Sequence, residues 1–129
     1  MAGPGDDRPV DPFDLPEWIG EQEVSWTAVS RLGAPRVRGR LEAADGRSLD
    51  CDLLAGDLAY PQPMLAESWR TAAHAAWWRG EALLLEQNGR LTVVVPGTEV
   101  TAEPALDAVA RLAKAVGASA DRFTVILRL

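Results

Sequence analysis

The stretch PRVRGRLEAADGRSLDCDLL, residues 35–54, predicts a β-hairpin, and its turn determines which residues pair across the two strands. A two-residue turn would place Leu41 opposite Asp50, an apolar side chain against a charged one. A three-residue loop that ends at a left-handed Gly46 places Leu41 opposite Leu49 instead. Because this second register makes both faces of the hairpin chemically consistent, we predict it.

The predicted register points Cys51, the only cysteine, toward the apolar face of the hairpin. A catalytic thiolate needs an exposed, electropositive setting and a base within reach, for which the chain offers one histidine, His74. One cysteine and one histidine are also too few for a typical zinc site. We therefore predict no catalytic residue, no bound metal and no cofactor, and we expect a protein that is not an enzyme.

Arginines occupy every second position in the first strand of this hairpin. Arg36, Arg38 and Arg40 would share one face, which could bind an anion such as phosphate or a nucleic acid. The predicted register places Arg38 opposite Asp52 and Arg40 opposite Asp50, so that two of the three cations gain acidic partners. We therefore expect paired charges on a solvated face, and we do not expect nucleic-acid binding to be the main role.

Two helices, a second hairpin and a last strand follow. Helical spacing predicts one helix that ends at Gly80 and another that begins after Thr101 and ends at Gly117. Between them, residues 82–97 predict a hairpin with either a three-residue loop or a two-residue Asn88-Gly89 turn. The predicted buried residues are Leu65, Trp69, Ala72, Ala73 and Ala76 on the first helix and Leu106, Val109, Ala110, Ala113 and Val116 on the second.

This order of elements, β-β-β-α-β-β-α-β after a short N-terminal helix, predicts an α+β fold. We expect an antiparallel sheet of about six strands with two main helices packed on it. The order loosely resembles that of small secretion-chaperone domains, which are acidic, dimeric and non-catalytic, although the final strand departs from that pattern. The resemblance implies a role in binding a protein partner, with a homodimer as one possible form.

Charge is distributed unevenly along the chain, whose net charge is −6. Residues 1–22 hold six acids and one base, whereas the remaining residues hold 13 acids and 12 bases. An acidic segment on a nearly neutral body argues against nucleic acid or an anionic membrane as the main ligand. No apolar run approaches the roughly 18 residues of a membrane span, and no export signal is evident, so we expect a cytoplasmic protein.

Residues 1–13 are rich in proline, glycine and aspartate, and we predict that they form a disordered acidic tail. Residues 14–129 would then form a single domain. The segment FDLPEWIGEQ, at the boundary, predicts a short helix that either packs on the domain edge as a lid or docks a partner. Its candidate partner-binding residues are Phe13, Leu15, Trp18 and Ile19.

Trp77 and Trp78 are adjacent, so a helix cannot bury both on one face. Trp77 lies on the flank of the predicted buried residues, whereas Trp78 falls on the polar side near His74. If the helix runs through residue 78, Trp78 is exposed; if the helix ends at residue 77, Trp78 can turn back under the next strand. Because exposed tryptophan is unusual and aromatic residues are enriched at interfaces, Trp78 and His74 are candidate partner-binding residues.

Three functions are consistent with these observations. The first, which we favour, is a non-enzymatic cytosolic interaction, adaptor or chaperone-like module that binds a protein partner through Trp78, His74 and the N-terminal segment. The second is a small-molecule-binding protein or small enzyme with a pocket between sheet and helices. The third is a protein that binds an anion or a nucleic acid through Arg36, Arg38 and Arg40.

Overall fold

The computed structural model describes residues 7–57 and 65–129. Its helices are α1 (Glu17–Glu21), α2 (Glu67–Trp78) and α3 (Ala102–Ala115). Its strands are β1 (Arg8–Pro9), β2 (Val24–Ala28), β3 (Arg36–Val37), β4 (Gly39–Ala43), β5 (Ser48–Ala55), β6 (Leu83–Gln87), β7 (Arg90–Val95) and β8 (Phe123–Ile126).

The strands of the described residues form one eight-stranded sheet. Their hydrogen-bonded order is β1-β6-β7-β5-β4-β2-β8. The short strand β3 pairs with the C-terminal part of β5, at Leu53 and Leu54. Two pairs of neighbours, β5 with β7 and β2 with β8, run parallel, and the other pairs are antiparallel.

The predicted α+β class, with two main helices and a short N-terminal helix, is confirmed. The prediction of a purely antiparallel sheet of about six strands is wrong, because the sheet is mixed and has eight strands. Hairpin signals in a sequence report only antiparallel neighbours. Parallel neighbours are joined by long connections, which in the case of β5 and β7 include α2 and β6, and no local signal marks them.

β4 and β5 form the first hairpin in the predicted register. Leu41 pairs with Leu49, and Arg40 pairs with Asp50. Gly46 closes the loop with a φ of 95°, in the left-handed region that the predicted three-residue loop requires. The prediction of this turn is therefore confirmed.

β6 and β7 form the second hairpin through a two-residue turn. Gln87 pairs with Arg90, and the intervening Asn88 and Gly89 have φ values of 53° and 75°. Two successive left-handed residues are typical of the type I′ turn that suits strand twist. Of the two turns that the sequence left open, the Asn88-Gly89 turn is the one that forms.

Successive residues of the central strands point to opposite faces of the sheet, so the core has two parts. On one face, Leu53 and Val93 belong to a large cluster that includes the buried residues of α1 and α3; we call it the main core. On the other face, Leu54 and Val94 pack with Ala73 of α2; we call this smaller cluster the α2 core. Consequently, α2 and α3 cover opposite faces of the sheet.

The buried side of α3 differs from the predicted one. Val109 and Ala113 are buried as predicted, but Leu106 is 50% exposed. Ala105 and Ala108 are fully buried in its place. Their small side chains allow the helix to lie close to the sheet, which leaves the larger Leu106 outside.

Trp26 on β2 is fully buried and joins three strands. Its indole Nε1 donates a hydrogen bond to the backbone oxygen of Cys51, at 2.9 Å. The ring passes over Gly39 so closely that a Cβ atom there would lie 2.3 Å from it. Cys51 itself is fully buried in the main core, as the predicted register requires.

The described N-terminal residues lie against the sheet. β1 pairs with β6, and the backbone N–H of Val10 donates to the oxygen of Leu84, at 2.9 Å. α1 then buries two apolar side chains in the main core. The segment predicted to be a disordered tail, residues 1–13, therefore contains β1 in the structure, while residues 1–6 lie outside the described residues.

Candidate functional site

Trp78 is the largest exposed apolar side chain in the described part of the chain, with 91% of its surface accessible. Residues three or four apart on a helix share a face, and Trp78 therefore lies on the same side of α2 as His74. The opposite side of the helix is buried through Ala73 and Ala76. We call the exposed side the α2 face; it consists of Glu67, Arg70, Thr71, His74 and Trp78.

Trp77 is held in place by contacts with the main core and with α3. It packs against the main core, and the Arg111 guanidinium of α3 lies 3.6 Å from the centroid of its ring. The same guanidinium donates to the backbone oxygens of Trp77, at 2.7 Å, and Glu81, at 2.8 Å. α2 runs through Trp78, and the chain then turns at a left-handed Gly80. Because the helix continues through residue 78, Trp78 is exposed, as the sequence predicts for that case.

His74 is oriented by a carboxylate from the end of β5. Its Nε2 lies 2.5 Å from Oδ1 of Asp57, whose Oδ2 accepts a hydrogen bond from the backbone N–H of Gly97, at 2.8 Å. The backbone N–H of Asp57 donates to the Gly97 oxygen, at 2.9 Å, so Asp57 is anchored on both sides. In the neutral imidazole, the proton on Nε2 then faces Asp57 and the lone pair is on Nδ1.

The crevice beside this pair lies at the carboxyl ends of β5 and β7. These strands are parallel neighbours, and the helices that follow them lie on opposite faces of the sheet. Such a switch point is where open α/β sheets commonly bind ligands. The crevice has a volume of about 640 Å³ and is lined by Asp57, Glu67, Arg70, Thr71, His74 and Thr98.

The structure does not bring Cys51 and His74 together. Cys51 is buried in the main core, whereas His74 is on α2, on the other face of the sheet. Burial raises the pKa of the Cys51 thiol, and the neighbouring Asp52 carboxylate raises it further. A buried thiol of raised pKa is not a nucleophile.

Asp52 is the centre of an ion-pair network on the same face of the sheet as α2. Its side chain is 1% exposed and accepts hydrogen bonds from Arg36 Nη1, at 3.0 Å, and Arg90 Nη2, at 2.8 Å. Arg90 Nε adds a third bond at 3.0 Å, and Arg36 also contacts Gln87. Arg36 is therefore engaged inside the protein.

The predicted ion pair between Arg38 and Asp52 does not form, although the strand pairs on both sides of this position keep the predicted register. Arg38 lies between β3 and β4, where its backbone N–H donates to Ser30 Oγ, at 2.8 Å, and its side chain is exposed. Side chains from diagonal positions on β3 and β7 reach the buried Asp52 instead. Arg40 does form an ion pair with Asp50, at 3.9 Å. Of the three predicted anion-binding arginines, Arg36 and Arg40 therefore have acidic partners, and Arg38 makes no ion pair with any described residue.

The four N-terminal candidates lie in different environments. Phe13 is 93% exposed, and Leu15 is partly buried against the main core. Trp18 and Ile19 are buried and hold α1 on the sheet. Of these residues, Phe13 is accessible at the surface, whereas Trp18 and Ile19 are not.

Comparison with known protein families, with curated proteins and with solved structures found no match. In the described ranges, no group of three or more His, Cys, Asp and Glu side chains is arranged to hold a metal ion. No helix within these ranges is long and apolar enough to cross a membrane. Any functional interpretation therefore depends on the geometry of the site.

Several residues of this site carry no signal that sequence reasoning identified. Asp57, Arg70 and Thr98 line the crevice together with His74. Asp57 is 17 residues from His74 and 40 residues from Gly97, the two residues that its carboxylate contacts. The one available signal was a polar residue directly after a strand. It becomes informative only when β5 and β7 are known to be parallel neighbours.

Proposed function

We propose that the protein is a non-enzymatic interaction module that binds another protein through the α2 face. The observation that carries this proposal is the 91% exposure of Trp78 on a helix whose other side is buried. Tryptophan and arginine are among the residues enriched at interface hot spots, and the α2 face contains both, as Trp78 and Arg70.

Burial of the Trp78 indole would contribute favourably to the free energy of binding a partner. An aromatic side chain buries about 150–250 Å², which at about 25 cal/mol per Å² corresponds to roughly 4–6 kcal/mol before the costs of association. Those costs reduce the net gain. A single such anchor, surrounded by polar contacts, fits the usual anatomy of a small interface.

The end of α2 is held rigidly, which favours binding. Arg111 stacks on Trp77 and caps the carbonyl groups of Trp77 and Glu81. Trp78 follows directly on this clamped residue, so little backbone freedom is lost when a partner covers it. The polar groups beside it, His74 and Arg70, could provide orienting hydrogen bonds, since His74 is itself oriented by Asp57.

The proposal predicts that Trp78→Ala abolishes capture of a specific protein partner. The measurement is affinity capture from the native host with the wild-type chain, Trp78→Ala and Phe13→Ala, followed by mass spectrometry. Phe13→Ala is the matched control, because it removes another exposed aromatic side chain, outside α2. Sedimentation of the pure chain at several concentrations determines whether the partner is a second copy.

We expect the wild type and Phe13→Ala to capture the same partner, or to form the same dimer, and Trp78→Ala to do neither. Circular dichroism should show that all three proteins are folded, because both replaced side chains are exposed. Equal capture and equal self-association by Trp78→Ala and the wild type would contradict the proposal. The cytoplasmic location expected from the sequence belongs to the same proposal.

A second candidate function is binding of a small polar ligand in the crevice at the ends of β5 and β7. The observation that favours it is the hydrogen bond between His74 and Asp57, at 2.5 Å, at the topological switch point. Asp57→Asn would weaken binding of such a ligand, because it disturbs the tautomer of the His74 imidazole. Trp78→Ala would leave binding of the small ligand unchanged, so the two variants distinguish the two functions. The arginines of β3 and β4 give weaker support to anion binding, since Arg36 and Arg40 have acidic partners.

A further inference from the structure

A groove outside the α2 face runs between the N-terminal segment, the end of α2, the start of β6 and the last turns of α3. Its volume is about 390 Å³, within the range of small-molecule pockets. Its wall is mostly apolar and is built from small side chains as well as larger ones. Residues that form this wall include Val10, Ala72, Ala76, Leu83, Leu84 and Ala115.

The polar residues of the groove are mostly basic. Arg79, Arg111 and Lys114 line it together with one acid, Glu81, so it carries two more positive than negative charges, in a protein whose net charge is −6. Arg79 is bound to Glu81, at 2.8 Å. Arg111 donates to backbone oxygens and pairs with Asp107, at 3.2 Å.

Lys114 is the cation of the groove that is free to bind a ligand. It is the only lysine of the chain, and its ammonium group makes no hydrogen bond or ion pair with any described residue. It lies in the last turn of α3 and is exposed. Its Nζ is 3.8 Å from where a Cβ atom of Gly80 would be, so it is positioned over the end of α2 that closes the groove.

We propose that this groove binds a small amphipathic carboxylate, with the aliphatic body against the apolar wall and the carboxylate on Lys114. The apolar wall fits a hydrocarbon, and one free ammonium group fits one anionic group through a charge-assisted hydrogen bond. A phosphate or a nucleotide would fit less well. Sites for those ligands usually present several backbone N–H groups or several free cations, whereas here Arg79 and Arg111 are already paired.

The single lysine makes the proposal directly testable. The primary amines of the chain are Lys114 Nζ and the α-amino group, so an amine-selective acetylating reagent gives two amide products, which mass spectrometry separates. Decanoate is the probe, and decanol is the neutral probe of the same length. We expect decanoate, but not decanol at equal concentration, to slow acetylation of Lys114 relative to the α-amino group.

Calorimetry with decanoate then tests the groove itself. We expect one site per chain, with Lys114→Gln weakening binding by about tenfold or more through loss of the charged hydrogen bond. Ala72→Leu, which adds bulk at the groove wall, should also weaken binding. The matched controls are Ala75→Leu, on an exposed position of α2 outside the groove, and Arg38→Gln, which removes an exposed cation elsewhere.

Three results would overturn the proposal. The first is the absence of saturable decanoate binding by the folded wild-type chain. The second is equal binding by the wild type, Lys114→Gln and Ala72→Leu, which would indicate general adsorption of a detergent-like molecule. The third is equal protection of Lys114 by decanol and decanoate, which would exclude recognition of the carboxylate.

Discussion

At Gly39 the main chain passes directly beneath the indole of Trp26. The φ of this glycine is ordinary, so the position does not need glycine for its backbone conformation. It needs glycine because a Cβ atom would lie 2.3 Å from the ring. The close approach lets Trp26 reach the Cys51 carbonyl on the next strand, and a buried carbonyl without such a donor would be costly.

We predict that Gly39→Ala lowers the free energy of unfolding by about 1–3 kcal/mol, the usual cost of overpacking a tight core. Urea denaturation followed by tryptophan fluorescence measures the change. A double-mutant cycle with Trp26→Phe provides the control, because the smaller ring relieves the contact with the new Cβ atom. A change below about 0.5 kcal/mol for Gly39→Ala, typical of a surface substitution, would show that the ring does not press on this position.

At the scale of elements, the first hairpin is held by its turn and by the charges beyond it. In the loop, hydrogen bonds from the Arg47 side chain and backbone lower the pKa of the exposed Asp45 to about 2. Farther along β5, Asp50 is about half exposed, whereas Asp52 is buried between Arg36 and Arg90. Two aspartates on the same face of one strand therefore have different roles.

We predict that Asp52→Asn destabilises the fold by about 3–5 kcal/mol, because two guanidinium groups lose a buried partner. Asp50→Asn is the matched control, and its exposed ion pairs should contribute no more than about 1 kcal/mol. Chemical denaturation of both variants in the same buffer measures the difference. Equal destabilisation by the two substitutions would contradict this prediction, because it would show that the ion pairs of Asp52 stabilise the fold no more than those of the exposed Asp50.

At the scale of the whole molecule, the two edges of the sheet are formed by different means. One edge is β8, and the other is β1, which covers β6 and contains a proline. Exposed edges promote association between sheets, and a short strand with proline limits it. The N-terminal residues thus serve the sheet in the structure, whereas composition alone predicts that they form a disordered tail.

A truncated chain that begins at residue 11 distinguishes these two descriptions. If β1 covers β6, its removal deletes the hydrogen bond from Val10 to Leu84 and exposes the edge. We then expect a loss of stability of about 1–3 kcal/mol and concentration-dependent association, measured by denaturation and sedimentation. If residues 1–10 form a disordered tail, neither quantity should change.

The elements were largely predictable because their signals are local. The register of the first hairpin follows from Gly46 and the alternation around it, and the three helices follow from apolar spacing and their stop residues. The two turns possible at Asn88 could not be separated, since both faces of β6 and β7 are apolar. For α3, the pattern identified the helix but not its rotation, which the alanines packed against the sheet determined.

The sequence by itself determined the α+β class, the first hairpin and the inward direction of Cys51, since each depends on residues close together in the chain. Only the tertiary structure decided which strands run parallel, that Asp57 meets His74, and that Arg90 reaches Asp52 from 38 residues away. Such contacts form where distant segments pack together, and periodicity, turn chemistry and composition describe only neighbours. The exposure of Trp78 likewise depends on where α2 ends, which the sequence did not determine. A helix that ended at residue 77 would allow Trp78 to turn inward, whereas the observed helix ends at Trp78 and leaves it exposed.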